Sequence, residues 1–325
     1  MNRLIKIITG FALVIGVLCL LLAASGNSHV IVGLTKTYLR GLSKPDIDDY
    51  DDHHLREVKA AEVAQPWLSV DPIRVMSQTD DEFCQSIGTV AYIVLVDGKV
   101  VCKQYWEGYN DTAISNSFSM AKTFAATCIG HAVENGLIDD LDDPVTKYLS
   151  GMSIGLNAQL TIRHLLQMSS GIDFGESYAD PFGYQAMAYY GSDLEAATRK
   201  FSVTEIPGKT WKYEGGNTVI LSLILREVSG LTLSEYFSTY FWSQIGAKNS
   251  AWWNIDRPGG LEKSFSAFYA AAPDYARFGQ LFLDSGEWRG VPLISKKFMI
   301  ESTTPVMIPD PNGELVWQYG YHWWL

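Results

Sequence analysis

The feature that most constrains this chain is a run of apolar residues at its N-terminus. Arg3 and Lys6 precede the run, and residues 7–24 carry no charged side chain. Such a run is long for the core of a cleaved export signal, and it is just enough to cross a hydrocarbon layer of about 30 Å as a helix. The positive charges before the run predict that the N-terminus stays inside.

Two interpretations of residues 1–26 remain open. They form either a signal peptide that is cleaved near Ala24 or a membrane anchor that is retained through residues 7–24. Both interpretations predict export across a bacterial-type membrane. The remainder of the chain is then periplasmic, or it is anchored to the inner membrane and faces the periplasm.

Composition limits the partners and the cofactors. The formal net charge of -11 repels the phosphates of nucleic acids, so nucleic acid is not expected as a partner and a small-molecule substrate is favoured. The sequence contains no Gly-x-Gly-x-x-Gly segment, no Walker loop and no metal-ligand cluster, so we predict neither a cofactor nor a metal. The adjacent His53 and His54 lack flanking ligands and are interpreted as solvated surface.

The cysteines do not form a recognisable metal or disulfide pattern. A disulfide between Cys84 and Cys102 in an oxidising compartment is an open alternative, because the sequence alone does not show whether the two residues lie within bonding distance. Cys128 falls on the apolar face of a predicted helix and is interpreted as core.

The chain after the apolar run divides into two parts. Residues 27–85 contain an acidic patch at 46–52 and scattered prolines, which is typical of a loosely packed N-terminal segment rather than a separate domain. Residues 86–325 contain the regular hydrophobic patterns. Strands come first there and helices follow, an order that predicts an α+β domain.

Within that domain, local patterns predict particular elements. Residues 89–106 alternate apolar and polar side chains on either side of Asp97-Gly98, a pattern typical of a β-hairpin. Farther along, apolar residues recur every three or four positions, as in amphipathic helices. Glycines stand where these helices are expected to end, at Gly136, Gly171 and Gly230.

The start of one predicted helix carries a candidate nucleophile. Ser119 opens an apolar helix that closes at Gly136, and a serine in that position is commonly only an N-cap. Lys122 follows three residues later, so its side chain rises from the same helix face and can approach the Ser119 hydroxyl. Apolar neighbours deprive the lysine of water and favour a form that accepts the serine proton. The helix N-terminus favours a developing oxyanion.

Five ordered segments place this pair in a wider context. They are residues 96–100, 119–123, 160–171, 211–218 and 274–279. From about residue 85 to its end, the chain resembles the serine hydrolases of the class C β-lactamase and penicillin-binding-protein superfamily, especially the esterase and 6-aminohexanoate-dimer hydrolase branches. The resemblance implies a β-lactamase/transpeptidase-like α+β fold, in which helices flank an antiparallel sheet and a helical subdomain is attached.

The resemblance also implies roles for three side chains. Ser119 matches the nucleophile that becomes acylated, Lys122 matches its general base, and Tyr213 matches the tyrosine that carries protons to and from the leaving group. Without the family match, Tyr213 is as well explained as a half-buried aromatic before a helix.

Two further residues are candidate substrate contacts. Many relatives have an asparagine two residues after the tyrosine, where this chain has Gly215, and Asn217 comes two positions later. Asn217 either caps a helix over residues 218–229 or reaches the substrate. Tyr178 lies in a loop at 176–180 that borders the pocket in relatives of the amide-hydrolase branch, and it is either a substrate contact or a turn-anchoring aromatic.

The chain departs from the family at its C-terminus. Relatives continue past a segment like residues 319–325 into a Lys-Thr-Gly or His-x-Gly strand, further strands and a closing helix. That strand supplies one donor of the oxyanion hole, and the amide of Ser119 supplies the other. Losing one donor costs about 10² to 10³ in rate. The C-terminal strands are therefore expected to be missing, the hairpin is expected to lack sheet partners, and the chain is either truncated or inactive.

Three functions follow from these observations. The leading one is a serine hydrolase that forms an acyl-enzyme on Ser119 from a small ester, amide or peptide, as a carboxylesterase, amide hydrolase or β-lactamase-like enzyme. The second is an acyl-binding sensor that does not turn over, or an inactive truncated homologue. The third is a membrane-bound structural module, which leaves the Ser119 and Lys122 arrangement unexplained.

Overall fold

The N-terminal apolar run forms one exposed helix, α1 (Asn2–Ala24), in the computed structural model, which describes residues 2–151 and 155–325. The span Arg3–Ala24 has a mean hydropathy of 2.8, and none of its apolar window is buried. Its length and composition therefore suit a membrane span, although a signal sequence has the same properties. A three-residue turn at 25–27 leads into the next helix.

Strands and further helices follow α1 in the part of the chain that the structure describes. The strands are β1 (His54–Val58), β2 (Leu68–Arg74), β3 (Ala91–Val96), β4 (Lys99–Tyr105), β5 (Ile114–Asn116), β6 (Ala251–Ile255), β7 (Phe268–Ala271), β8 (Glu287–Trp288) and β9 (Val291–Pro292). The helices after α1 are α2 (Ser28–Lys36), α3 (Gln78–Ser86), α4 (Ala121–Glu134), α5 (Ile162–Leu166), α6 (Tyr184–Tyr190), α7 (Leu194–Thr198), α8 (Gly215–Ser229), α9 (Leu233–Phe237), α10 (Ala272–Leu283) and α11 (Lys296–Ser302).

The central sheet is antiparallel and has the order β1-β6-β7-β5. Its strand β1 pairs with β6 from His54 opposite Ile255 to Val58 opposite Ala251. Part of residues 27–85 therefore completes the central sheet. Composition does not reveal a strand whose partner lies about two hundred residues away.

The predicted hairpin is confirmed as β3 and β4, which pair through a turn at Asp97 and Gly98 with φ angles of 50° and 70°. The expectation that this hairpin lacks a sheet partner is wrong. Strand β2 runs parallel to β4 and extends the pair to a three-stranded sheet of order β2-β4-β3.

The core lies between the central sheet and the helices α4 and α8. The ring of Phe124 in α4 lies 4.8 Å from that of Phe268 in β7 and 5.2 Å from that of Phe237 in α9, measured between centroids. Cys128 is completely buried on the same helix, as predicted. Gly230 ends α8 in the left-handed conformation with φ of 69°, also as predicted.

One expectation about a single residue is wrong, and one open alternative is decided. The side chain of His53 is only 4% exposed and lies 3.6 Å from the carboxylate of Asp49, so it is not part of a solvated surface; His54 is exposed. The optional disulfide between Cys84 and Cys102 does not form, since all four cysteines, which lie in the described ranges, are free.

A buried ion pair fixes the start of α10. The carboxylate of Asp274 accepts hydrogen bonds from the backbone N–H groups of Lys248 and Asn249 and from the guanidinium of Arg277 at 2.9 Å. Asp274 is completely buried and Arg277 is nearly so. A buried carboxylate is tolerated only with such partners. The pair therefore joins α10 to the turn before β6.

We expect Asp274→Ala to lower the free energy of unfolding by about 3–5 kcal/mol, because it leaves the Arg277 guanidinium buried without its counter-charge. The control Asp284→Ala removes an exposed carboxylate at the end of the same helix and should cost less than about 0.5 kcal/mol. Urea unfolding of the full chain in detergent, followed by tryptophan fluorescence, measures both. Equal losses for the two variants would contradict this account of the ion pair.

Candidate active site

Ser119 lies in a tight turn between β5 and α4. The turn Phe118–Met120 is a short 3-10 helix, and Phe118 has a φ of 44°, which is uncommon for a bulky residue. The side-chain oxygen of Asn116 accepts the backbone N–H of Phe118 at 2.8 Å and holds the turn in this conformation. Ser119 consequently stands at the N-terminal end of a 14-residue helix.

Lys122 is the second residue of that helix, and it is 1% exposed. Its Nζ atom lies 3.2 Å from the Oγ of Ser119 and donates to the carbonyl oxygen of Phe265 at 2.8 Å. The three-residue spacing thus brings the amine to the hydroxyl, as the helix geometry predicts. The Phe265 carbonyl directs the amine toward Ser119 and away from other acceptors.

Tyr213 is the third member of this group. The Nζ atom of Lys122 lies 4.8 Å from the centroid of the Tyr213 ring. That ring packs against Tyr319 and Trp324, with centroid separations of 5.9 and 5.4 Å. The structure therefore brings Ser119, Lys122 and Tyr213 together around one buried nitrogen, although they are separated by up to about ninety residues in sequence.

Tyr178 is 76% exposed and is tied to this group by a carboxylate. Its hydroxyl donates to Glu176 at 2.6 Å, and the other oxygen of Glu176 accepts the backbone N–H of Gly215, two residues after Tyr213. The loop that carries Tyr178 is thus attached to the start of α8. The bond from its hydroxyl to Glu176 fits a turn-anchoring aromatic, and a contact between Tyr178 and the substrate stays a prediction.

Asn217 does not cap a helix, so that alternative is wrong. Helix α8 begins at Gly215, its N-cap is Glu214, and that cap makes no side-chain hydrogen bond. Asn217 instead lies in the first turn, is completely buried, and donates to the sulfur of Met168 at 3.4 Å. Its side-chain oxygen has no hydrogen-bond partner among the described residues. A contact between Asn217 and the substrate stays a prediction.

Several supporting groups escape sequence analysis. The side-chain nitrogen of Asn116 donates to Asp49 at 3.3 Å, and Asp49 also accepts from the hydroxyl of Tyr269 at 2.7 Å. Burial opposes ionisation of Asp49, but hydrogen bonds from His53 and Tyr269 hold its pKa below the usual range. Nothing in the local sequence distinguishes Asp49 from its acidic neighbours, because its partners come from distant strands.

Comparison with known proteins agrees with this geometry. Residues 74–325 match the beta-lactamase family. The chain belongs to the beta-lactamase family. All five segments on which the resemblance rests fall within the matched range, so the family and the β-lactamase/transpeptidase-like α+β fold are confirmed.

Individual relatives support the same family. The chain is 25% identical over 243 residues to 6-aminohexanoate-dimer hydrolase from Paenarthrobacter ureafaciens, an alignment that covers 72% of this chain and 62% of that protein. A solved structure from Bacillus anthracis, with the provisional name 6-aminohexanoate-dimer hydrolase, gives a TM-score of 0.75 at 22% identity and covers 85% of this chain and 78% of its own. The octameric penicillin-binding protein homologue from Pyrococcus abyssi gives 0.55 at 21% identity, covering 75% and 63%. The two structures share the fold.

Glu214, next to Tyr213, is a buried carboxyl with an altered proton affinity. It is 4% exposed, and it accepts the backbone N–H of Phe174 at 3.1 Å. Burial, together with the negative charge of Asp173, raises the pKa of Glu214 to about 8. Glu214 is therefore protonated in the folded protein at pH values where an exposed glutamate is ionised.

This proton affinity predicts a pH dependence of stability. Between about pH 4.5 and pH 8 the folded chain holds a proton on Glu214 that the unfolded chain has lost. The free energy of unfolding should then fall by about 1 kcal/mol for each unit of rising pH in that range. Glu214→Gln removes this loss, because the amide stays neutral at every pH. Urea unfolding of both proteins at several pH values measures the slope.

The control for this experiment is Glu227→Gln, on the exposed side of the same helix. It should keep the slope of the unchanged chain. If the curves for Glu214→Gln and the unchanged chain ran parallel between pH 5 and pH 8, Glu214 would be ionised in the folded state and the assignment would be wrong.

Proposed function

We propose that this chain is a serine hydrolase that forms an acyl-enzyme on Ser119 and hydrolyses a small ester or amide. The observation that carries the proposal is the 3.2 Å separation between the buried amine of Lys122 and the Oγ of Ser119, at the start of a helix in a member of the beta-lactamase family. An N-capping serine needs no buried lysine. A lysine that only filled space would not need a hydroxyl partner.

Proton transfer starts the proposed reaction. In its neutral form, Lys122 accepts the hydroxyl proton of Ser119 through its lone pair while one of its N–H groups donates to the carbonyl of Phe265. The Oγ atom then forms a bond to the carbonyl carbon of the substrate, and the carbonyl π electrons move to its oxygen. The N–H of Ser119 and the N-terminal end of α4 stabilise this oxyanion.

Collapse of the tetrahedral intermediate breaks the bond from the carbonyl carbon to the leaving oxygen or nitrogen. Tyr213 gives its proton to that leaving atom and regains one from Lys122, whose ammonium lies against its ring. Water then attacks the carbonyl carbon of the ester on Ser119, Lys122 carries the proton of this water to Ser119 Oγ as the acyl–oxygen bond breaks, and the acid is released. The net reaction is hydrolysis of one acyl bond by one water molecule.

Two side chains are proposed as substrate contacts. The exposed ring of Tyr178 is held beside the start of α8 through Glu176, so it is positioned to border a bound substrate. Asn217 is buried, and its side-chain oxygen, which has no hydrogen-bond partner among the described residues, is an acceptor for an N–H group of the substrate. The name of the Paenarthrobacter relative, 6-aminohexanoate-dimer hydrolase, makes a linear amide one candidate substrate.

We also propose that α1 is retained as a membrane anchor and that the rest of the chain faces the periplasm. The uncharged run of residues 7–24 after Arg3 and Lys6 supports this orientation. The direct passage from α1 through residues 25–27 into α2, which packs on the domain, supports retention. Cleavage near Ala24 is the alternative, and an N-terminal mass measurement on the exported protein distinguishes the two.

A fluorophosphonate probe tests the nucleophile. The full chain in detergent should gain the mass of one adduct, and Ser119→Ala should gain none, because the probe requires an activated serine. Ser117→Ala is the matched control, since Ser117 lies in the same turn and its hydroxyl donates to the carbonyl oxygen of Phe118. It should react like the unchanged chain. A folded, unlabelled chain would contradict the proposed hydrolase.

Substitutions of Lys122 and Tyr213 should affect the rates of ester and amide hydrolysis differently. Lys122→Met removes the base and should lower the rate of acylation by about 10² to 10⁴ for every substrate. Tyr213→Phe should leave a nitrophenyl ester little affected, because nitrophenolate needs no proton to depart, but it should lower amide hydrolysis by about 10² or more. Initial rates on a matched ester and amide measure this. A Tyr213→Phe variant that lost both rates equally would not support a leaving-group proton donor.

A further inference from the structure

Apolar side chains surround the proposed nucleophile at the protein surface. Phe118 and Met120, on either side of Ser119, are 37% and 44% exposed. On the Tyr213 side, the exposed ring of Trp324 lies against Tyr213. Exposed apolar groups at the mouth of a site lose water when an apolar group covers them. The surroundings of Ser119 therefore suit a substrate with an apolar part.

The C-terminal end of α1 is held close to the domain. Only the three residues 25–27 separate α1 from α2, and a chain of that length spans at most about 11 Å. Helix α2 is fixed in place, because the buried ring of His29 contacts the carbonyl oxygen of Pro181 at 3.1 Å. Close packing continues at Gly33, where a Cβ atom would lie 3.1 Å from the ring of Tyr190. The domain is thus docked onto the base of α1.

The same elements that contact α2 also border the active site. Pro181 follows Tyr178 and Glu176 in one loop, and Glu176 accepts the N–H of Gly215 beside Tyr213. Helix α6, against which α2 packs, reaches Asn116, whose side chain lies 3.4 Å from the hydroxyl of Tyr189. The nine-residue helix α2 is about 14 Å long.

An exposed apolar surface lies beside this junction. It consists of Leu34 in α2, Tyr38 and Leu39 just after it, and Phe182 in the loop next to Pro181. Aromatic and aliphatic side chains next to a transmembrane segment favour the interface of the bilayer. Because α1 leads through residues 25–27 into α2, we assign these side chains to the lipid surface and call them the junction surface.

We propose that the active site takes its substrate from the bilayer, and that the substrate is an amphiphile whose ester or amide lies near the headgroups while its apolar chain rests against Phe118 and Met120. This inference rests on the proposed function and on retention of α1. The reaction is the hydrolysis described above. The acyl group passes to Ser119, the alcohol or amine leaves with the proton from Tyr213, and water releases the acid.

The experiment uses the full chain in vesicles of phosphatidylcholine and phosphatidylglycerol. One substrate is a long-chain acyl ester of methylumbelliferone, which dissolves in the bilayer, and the other is the short-chain ester, which stays in water. The first variant carries a flexible Gly-Ser insertion of about 20 residues between Gly26 and Asn27, which lets the domain move roughly 25 Å farther from the membrane. It should hydrolyse the long-chain ester about fivefold to tenfold more slowly and the short-chain ester at an unchanged rate.

The second variant tests the junction surface while the natural connection remains. Leu39→Ser combined with Phe182→Ser should lower the ratio of long-chain to short-chain hydrolysis severalfold. Val291→Ser is the matched control, because Val291 is an exposed aliphatic residue in the hairpin of β8 and β9. Its ratio should equal that of the unchanged chain.

The outcomes separate the two proposals. If the unchanged chain hydrolyses both esters and neither the insertion nor the double substitution changes the ratio, substrate capture from the bilayer is wrong and the hydrolase stands. If the unchanged chain hydrolyses neither ester and takes up no fluorophosphonate, the proposed hydrolase itself is wrong, and the inference fails with it.

Discussion

The site depends on the need to satisfy one buried amine. Lys122 is almost completely buried, and a buried ammonium or amine without hydrogen-bond partners costs several kcal/mol. Its acceptors are Ser119 Oγ, one turn earlier, and the carbonyl oxygen of Phe265, 143 residues later. The pairing of β5 with β7 brings these groups together, because it places Asn116 opposite Tyr269 and lets Ser117 N–H donate to Phe268 at 2.7 Å. The sheet register therefore determines where the amine points.

A second layer of contacts holds the turn that presents Ser119. Phe118 adopts a backbone conformation that bulky residues rarely accept, and such strain persists only where the surroundings enforce it. Asn116 enforces it through the N–H of Phe118 and is itself held by Asp49. Asp49 lies just before β1, whose pairing with β6 fixes its position. The N-terminal segment thus takes part in the support of the active site.

Local sequence patterns predict those elements that form through contacts between neighbouring residues. The hairpin of β3 and β4 has its own alternation and turn, and the approach of Lys122 to Ser119 follows from helix spacing alone. The tie between Glu176 and Gly215, the burial of His53 and the addition of β2 to the hairpin have distant causes, and no local pattern indicates them. The role of Asn217 could not be predicted from local sequence either. The same sequence is compatible with a helix that begins after Asn217, which makes it a cap, and with one that begins at Gly215, which places it in the first turn.

The contacts of Asp49 with residues far along the chain determine when the active site can form. The hydroxyl of Tyr269 that binds Asp49 is 220 positions farther along the chain, and synthesis delivers the N-terminus first. Asn116 and the turn before Ser119 therefore wait for β7 while most of the chain is being made. Contacts between such remote positions also form slowly, because the entropy cost of closing a long loop comes before the favourable free energy of the contacts. The growing polypeptide consequently carries a serine in an unsupported turn, and the reactive arrangement comes into being only after β7 has been synthesised.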